Sequence, residues 1–519
     1  MPAYIPENTN ITGSLGSSSS YSPAIYPHPV PNHSPIGMPS NPEYTYFFPL
    51  WITMRDTYTG ESAVKAKSVI YLPRLEKQTD KEYRAYLGRT PFYNAIHRTH
   101  QGLMGSVYRK PPTVKIPEKY ANRISLDSVT RSKESLQSLL KEMLSEQLLT
   151  GRYGVLIDLP VEPNGRPYAA SYKAETILNW RERIINGRTT LDQVLLVEND
   201  QQLTEIGTVT VLQFRLLQLV EEGGKMVYKQ TVTRIINAAE GVSEIYEVTP
   251  VIRGRTLDYI PFVFVGATSN TPDCDYPPLL DIATMNLSHF ASYAALEHGR
   301  FYAAMPTYYI TGEGSLDPNN PANTVNPYVV GPNNLWLLGK DDKPGILEFT
   351  GHGLSYLENA LDSKQSQMAS LGGKLISQSR RQAALSSNAW DLLSAGDEAT
   401  LLDITQRADE AATSILRMLI EFTGVVLTDE ERAETFIELN KQFEGSELTA
   451  REIRAVESIY QSRLIPRQVL YNALREVAVI PPTMSEAEFF ALLEDEENLA
   501  EKPPEPAPRP APRAGPSKK

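Results

Sequence analysis

Few side chains in this sequence stand where their types and spacing could carry out chemistry. GVLID, ending in Asp158, is an apolar strand closed by a carboxylate, the shape that orients magnesium in nucleotide hydrolases. That role needs a phosphate cradle, and no GxxxxGK followed by Ser or Thr occurs in the chain. Asp158 is therefore read as a strand-end residue. His97 and His100, three apart on an expected helix, could face one metal ion, but no His or Cys cluster accompanies them and they are read as a packed helix face. His289 and His298, on different sides of a second helix, are read as packing or surface groups. There is no GxSxG elbow, and the lone cysteine, Cys274, lacks a catalytic setting. The chain is expected not to be an enzyme and to use no metal or cofactor. The alternative kept open is a nucleotide-processing or nucleic-acid-modifying enzyme with a divergent site near Asp158.

The elements around these residues are more telling than the residues. Leu280, Ala283, Leu287 and Ala294 recur at three-and-four spacing and predict a helix over 279–301. Short β-rich runs follow at 307–311, 327–330, 335–338 and 345–349, separated by Asn, Pro and Gly. A second helix is expected over 354–371, with Leu354, Leu357, Leu361, Met368 and Leu371 on one side and Gly372 and Gly373 ending it. A Ser- and Gln-rich stretch, 374–396, then precedes a third helix over 397–422. Leu401, Ile404, Ala408, Ala411, Ile415, Leu419 and Phe422 form its stripe, Ser394 and Asp397 form its capping pair, and Gly424 supplies its stop.

The flanks are read more coarsely. Residues 1–41 are rich in Ser, Pro, Asn and Gly and are expected to be disordered, with folded structure starting near Tyr44. A helix is expected to open at Thr90 with Pro91 in its first turn and to carry Phe92, Ile96, Leu103 and Met104, and another to run over 133–149. Strands are expected at 155–159, 209–219, 226–235, 243–251 and 259–265. Helices are expected at 449–462, 466–477 and 485–499, and the Pro-rich end KPPEPAPRPAPRAGPSKK as an extended basic tail.

Composition sets bounds. A hydrophobic share of 41% and a charged share of 22% are ordinary for a globular chain of two to four units. One cysteine excludes an internal disulfide, the first ten residues lack the regions of a secretory signal, and no apolar run is long enough to span a bilayer. The chain is therefore read as cytoplasmic at synthesis. A net charge of -12 argues against a general nucleic-acid coat, which draws its affinity from many Lys and Arg contacts to phosphates. Most of that charge sits in 429–501, which holds 17 acidic and 7 basic side chains. The Glu494 to Glu497 cluster is read as a solvated helix face.

The ordered series over 275–424 resembles the portal, or head-to-tail connector, proteins of tailed bacteriophages. GRTPFYNAIHRTHQGLMGSVYRKPPTV (88–114) and LLTGRYGVLIDLP (148–160) resemble the wing of a compact subfamily, and FIELNKQFEGSELTAREIRAVESIYQSRLIPRQVLYNAL (436–474) its C-terminal portion. The resemblance spans roughly 45–495 and implies a mixed α+β protomer: an N-terminal arm (1–43), an α+β wing (44–274), a first stem helix (275–303), a clip (304–350), a second stem helix (351–372), a tunnel loop (373–396), a tunnel helix (397–424), C-terminal crown helices (425–500) and a basic tail (501–519). It implies a ring of about twelve copies at one capsid vertex, passing double-stranded DNA during packaging and ejection. The terminase large subunit, a head-tail adaptor, and major capsid and scaffold proteins are the implied partners, in the virion and, during assembly, the host cytoplasm, with no membrane role. In the tunnel loop, Lys374, Arg380 and Arg381 would approach phosphates, while Gln378, Ser379, Gln382, Ser386 and Ser387 would supply exchangeable hydrogen bonds. Tyr308, Tyr309, Trp336, Lys340, Asp341, Asp342 and Lys343 are the implied clip contacts. Trp390, Leu392, Leu393, Leu401 and Ile404 are the expected subunit interface, because apolar residues beside a polar loop need burial.

Overall fold

In a computed structural model, the described residues are 41–160, 165–185, 187–204, 207–237, 242–304, 307–311, 343–347, 352–373, 387–441 and a few positions beyond, with some side chains, those of 201–204 and 387–399 among them, not included. Chain contacts divide into Met1–Lys441 and Gln442–Lys519. The fold is a mixture of helices and antiparallel sheets.

The first unit begins with α1 (Pro42–Thr59). Its N-terminus is set by Asn41, whose side chain accepts from the Glu43 amide at 2.9 Å, and by Pro42, whose missing N–H costs nothing in a first turn. Trp51 and Met54 are fully buried on its inner face. The chain continues through α2 (Glu61–Ala66) to α3 (Asp80–Arg89), opened by a reciprocal Thr79 and Glu82 capping box, and α4 (Ala95–Val107), opened by Asn94 accepting from the His97 amide at 3.0 Å. Sequence placed the start of α4 at Thr90. Thr90 instead closes α3, its hydroxyl donating to the Tyr86 carbonyl at 2.9 Å, and Phe92 leaves the helix to pack on Phe290. A tertiary contact outweighed the Thr-Pro start signal.

After β1 (Thr113–Lys115) and α5 (Glu118–Ala121), α6 (Leu136–Thr150) ends at Gly151, whose φ of 68° a residue without Cβ adopts without strain. The next strand, β2 (Arg152–Asp158), is buried along its whole length because β3 (Tyr168–Lys173) and β11 (Phe262–Gly266) flank it in a three-stranded sheet. A five-stranded antiparallel sheet follows in sequence order: β4 (Ile177–Ile185), β5 (Arg188–Thr204), β6 (Gly207–Glu222), β7 (Lys225–Asn237) and β8 (Val242–Val248). The short pair β9 (Val251–Ile252) and β10 (Arg255–Thr256) leads on to β11. The five strands expected between residues 155 and 265 are present, while β3, β4 and β5 had not been read from sequence.

The remainder of this unit is α7 (Leu280–Ala303), β12 (Thr307–Thr311), β13 (Lys343–Leu347), α8 (His352–Gly373), α9 (Ser387–Phe422), α10 (Asp429–Glu434) and β14 (Phe436–Glu438). The expected start of α9 at Asp397 is corrected to Ser387. Ser394 and Asp397 thus lie within the helix and not at its start, because the run SNAWDLLSAG is mostly helix-forming and a single interior glycine, at about 1 kcal/mol, does not stop it. Gly424 does end the helical run, at φ 85° with its amide on the Glu421 carbonyl. β14 returns to pair with β1, Val114 opposite Ile437.

In the second unit, Tyr471, Phe489 and Phe490 form a small aromatic cluster. The expected helix over 449–462, the strands at 327–330 and 335–338, the N-terminal arm before Asn41 and the basic tail lie outside the described residues.

Candidate functional site

α7 has two working faces. One packs into the first unit: Phe290 and Ala294 join a cluster with Val64, Tyr71, Leu72, Tyr83, Tyr86 and Phe92. Asn286, fully buried, fixes the axial position of α7 by accepting from the Ala95 amide at 3.1 Å and donating to the Tyr93 carbonyl at 2.7 Å. Because these partners flank the start of α4, one polar side chain ties two helices together.

The other face carries α8. Lys364 Nζ donates to Ser288 Oγ at 2.9 Å and Ser292 Oγ at 2.7 Å, Gln365 meets His289 at 3.2 Å, and Arg300 reaches Glu358 at 2.7 Å. Partners rise in number along α7 as they fall along α8, so the pair is antiparallel. Leu361 and Met368 are buried, and Gly299 lets Leu354 approach the α7 backbone. With 24 and 22 residues, the helices are about 36 and 33 Å long at ~1.5 Å per residue.

This pair carries β12 and β13 between its ends, joined antiparallel with Tyr309 opposite Gly345. The Tyr309 ring covers Gly345 so closely that a Cβ there would lie 2.4 Å from Cζ. Tyr308, Tyr309 and Ile346 are 41%, 48% and 55% exposed. Lys343 begins β13, opposite Thr311. Trp336, Lys340, Asp341 and Asp342 lie outside the described residues, as do Lys374, Gln378, Ser379, Arg380, Arg381, Gln382 and Ser386. Ser387, placed by sequence in a loop, is the first residue of α9.

At 36 residues, α9 spans about 54 Å by the same rise and crosses the first unit against β2, β11 and α6, with β14 beside it. Leu401 and Ile404, expected at a subunit interface, are 2% and 4% exposed within this single chain. They belong to its own core, together with Ala408, Ala411, Ile415 and Leu419. The side chains of Trp390, Leu392 and Leu393 lie outside the described residues.

Asp158 does end its strand, as read, but as part of a buried polar network absent from the sequence reading. Its Oδ1 accepts from the Leu159 amide at 2.9 Å and from Gln230 at 3.2 Å, and its Oδ2 faces Arg215 at 3.4 Å. Arg215 also holds Glu198 at 2.7 Å, and Glu198 in turn accepts from Tyr172 and Gln213. Burial raises the Asp158 carboxyl above its usual range, with Arg215 opposing the shift. Burial also works to raise Glu198, yet the charge and hydrogen bonds of Arg215 overcome it and hold that carboxyl low. The network joins the three-stranded sheet to the five-stranded one. Its signal in the sequence was polar Gln213 and Arg215 at alternate positions of the otherwise apolar run 211–217.

The histidines are packing groups. His100 is buried, its Nε2 bonded to Ser145 at 2.9 Å, and its ring meets Tyr58 edge-on; His97 also packs on Tyr58. His298 lies between Tyr86 and Tyr302. Among the described residues no group of three or more His, Cys, Asp or Glu is arranged to hold a metal, and no helix is long and apolar enough to cross a membrane.

A family model described as a domain of unknown function, DUF4055, matches residues 278–423, which run from the start of α7 to the end of α9. No curated protein matches the chain. Among solved structures, a chain of the virion of a native gene transfer agent particle is 12% identical with a TM-score of 0.37, covering 84% of this chain and 99% of its own. A chain from the neck of the native gene transfer agent particle, computed with C12 symmetry, is 13% identical with a TM-score of 0.35, covering 77% of this chain and 93% of its own. Likeness at this level does not establish a shared fold.

Proposed function

We propose that this protein is a portal subunit of a tailed-phage-like particle, forming a ring at one capsid vertex through which double-stranded DNA enters and leaves. The observation that carries the reading is the antiparallel α7 and α8 pair with a β-hairpin between its ends, followed by the 36-residue α9. That is the order stem, clip, stem and tunnel helix. A chain of net charge -12 suits a conduit, since an acidic wall repels the DNA backbone and lets it slide. On this reading the subunit supplies geometry and passive gating, while energy comes from a terminase docked on the hairpin, where Tyr308, Tyr309 and Ile346 offer an exposed apolar surface. A head-tail adaptor takes that place after packaging, and major capsid and scaffold proteins surround the ring. Residues 374–386, with Arg380 and Arg381, line the channel.

The competing enzyme reading loses its anchor, because the Asp158 carboxylate is occupied by Arg215, Gln230 and the Leu159 amide. The deciding experiment is negative-stain electron microscopy with mass photometry of the full-length protein at low and moderate salt. Rings of about a dozen subunits with an axial channel support the connector; a discrete monomer or dimer in every condition overturns it.

A further inference from the structure

Two tyrosines stand out of the surface where α1 meets the segment between β11 and α7. Tyr46 and Tyr276 are 59% and 58% exposed, and their hydroxyls lie 2.7 Å apart. Their rings are crossed at 85° with centroids 6.3 Å apart, and both lean edge-on against Phe47, at 5.1 and 5.0 Å. Phe47 is buried and stacks on the fully buried Trp51. The pair is therefore fixed on a packed base. Because each hydroxyl is spent on the other, what the pair offers outward is ring face.

Carboxylates border these rings. Glu43, one turn before Phe47 on α1, accepts from the Cys274 amide at 2.9 Å and so ties the segment carrying Asp273 and Tyr276 to α1. Asp273 is exposed. Arg152 is near enough for its charge to reach both carboxylates, yet it is buried and donates Nη1 to the carbonyls of Pro272 at 2.6 Å and Asp273 at 3.3 Å. Among the described residues neither Glu43 nor Asp273 is joined to a cation in an ion pair. Ring faces beside unpaired carboxylates fit a ligand that is both apolar and cationic, since a guanidinium can stack on a tyrosine while a carboxylate takes its charge.

The sequence carries such a ligand. Residues 506–513 read PAPRPAPR, the same tetrapeptide twice, within a stretch, 502–519, of five basic side chains and one acidic. Proline restricts the backbone and removes its donor, so this stretch presents rings and guanidiniums rather than a strand edge. Docking of extended proline-rich segments on exposed aromatic surfaces uses that property. Residues 1–40 are proline-rich too, but they hold no Lys or Arg. Charge therefore selects the C-terminal stretch.

We infer that Tyr46 and Tyr276 form a docking plate for residues 506–513 of a second copy of this chain. An arginine stacks on one ring with Asp273 and Glu43 facing its charge, and a neighbouring proline covers the other ring. The inference rests on the ring reading above for the closeness of copies, which raises the effective concentration of one copy's segment at another's plate.

The test has two arms. In the first, a fluorescent peptide of residues 502–519 is titrated into the full-length protein carrying Arg509→Glu and Arg513→Glu, so that its own segment does not compete, and anisotropy is read. Binding should saturate and weaken about tenfold with Tyr46→Ala or Tyr276→Ala. It should also weaken with Asp273→Lys, while Tyr276→Phe, which keeps the ring, should bind like the parent. No binding, binding indifferent to both alanine variants, or equal binding of a peptide of residues 21–40 would overturn the proposal.

In the second arm, two differently tagged full-length copies, both Cys274→Ser, are co-expressed, one with Thr271→Cys and the other with Ala511→Cys. A short bismaleimide is added before a denaturing gel, and mass photometry records assembly. A covalent heterodimer that disappears with Tyr46→Ala supports the contact between copies. Rings without the heterodimer would overturn that contact and leave the connector reading standing. Monomers at every concentration would remove the ring reading and the second copy together.

Discussion

Gly299 and Leu354 stand so close across the α7 and α8 contact that a Cβ on Gly299 would lie 2.6 Å from Leu354 Cδ2. The glycine is placed where the helix pair leads toward its hairpin, next to the Arg300 and Glu358 ion pair. A mid-helix glycine is costly by itself, so the close approach of Leu354 is what the position offers in return.

Gly299→Val should therefore push the helices apart and lower stability by about 1–3 kcal/mol through overpacking. Gly299→Ala should be nearly neutral, because Leu354 can swing its terminal methyl and alanine recovers about 1 kcal/mol of helix propensity. Urea denaturation of both variants checks this, and a Gly299→Val protein as stable as the parent would refute the close packing.

Arg215 neutralises two carboxylates that are otherwise shielded from water. Arg215→Met should cost about 3–5 kcal/mol, since removing one member of a buried ionic group leaves uncompensated charge behind. The loss should shrink as pH falls and Asp158 and Glu198 take up protons. A pH-independent loss in denaturation midpoints would mean that packing, and not charge, dominates at this position.

His100 sets an acid limit. Burial lowers its pKa from about 6.5 in an unfolded chain to about 4. A depressed histidine contributes stability above the unfolded value, lost as pH falls from about 6.5 through about 4, and the total is at most about 3 kcal/mol. His100→Gln, which keeps a partner for Ser145 without titrating, should flatten stability over that window. Asp158 has the opposite sign: its raised carboxyl favours the fold as pH falls and disfavours it as pH rises through the folded value. An unchanged pH profile in His100→Gln would show that the imidazole already titrates normally.

The proposed channel makes a separate prediction. Arg380→Ala with Arg381→Ala should leave ring size by mass photometry unchanged while reducing DNA packaging or retention in particles. Normal DNA-filled particles from the double variant would refute the proposed role of residues 374–386.

The long amphipathic helices were legible in the sequence, and for a physical reason. An apolar stripe such as Leu357, Leu361 and Met368 encodes both a helix and the face it buries, so α7 and α8 were placed to within two residues. Gly424 likewise declares its own backbone geometry. What depended on distant partners could not be read. Strand β5 is long and largely polar, and its length follows from the β4 and β6 ladders on either side. Phe92 left its expected helix because Phe290 offered it a core, and Leu401 and Ile404 proved internal because α9 lies across buried strands. Asp158 looked like the end of a strand in the sequence and is one, but its partners come from β6 and β7, more than fifty residues away, and only the meeting of two sheets decides what its charge does. Periodicity is local and survives in one dimension; electrostatic partnership and burial across sheets are properties of the folded chain.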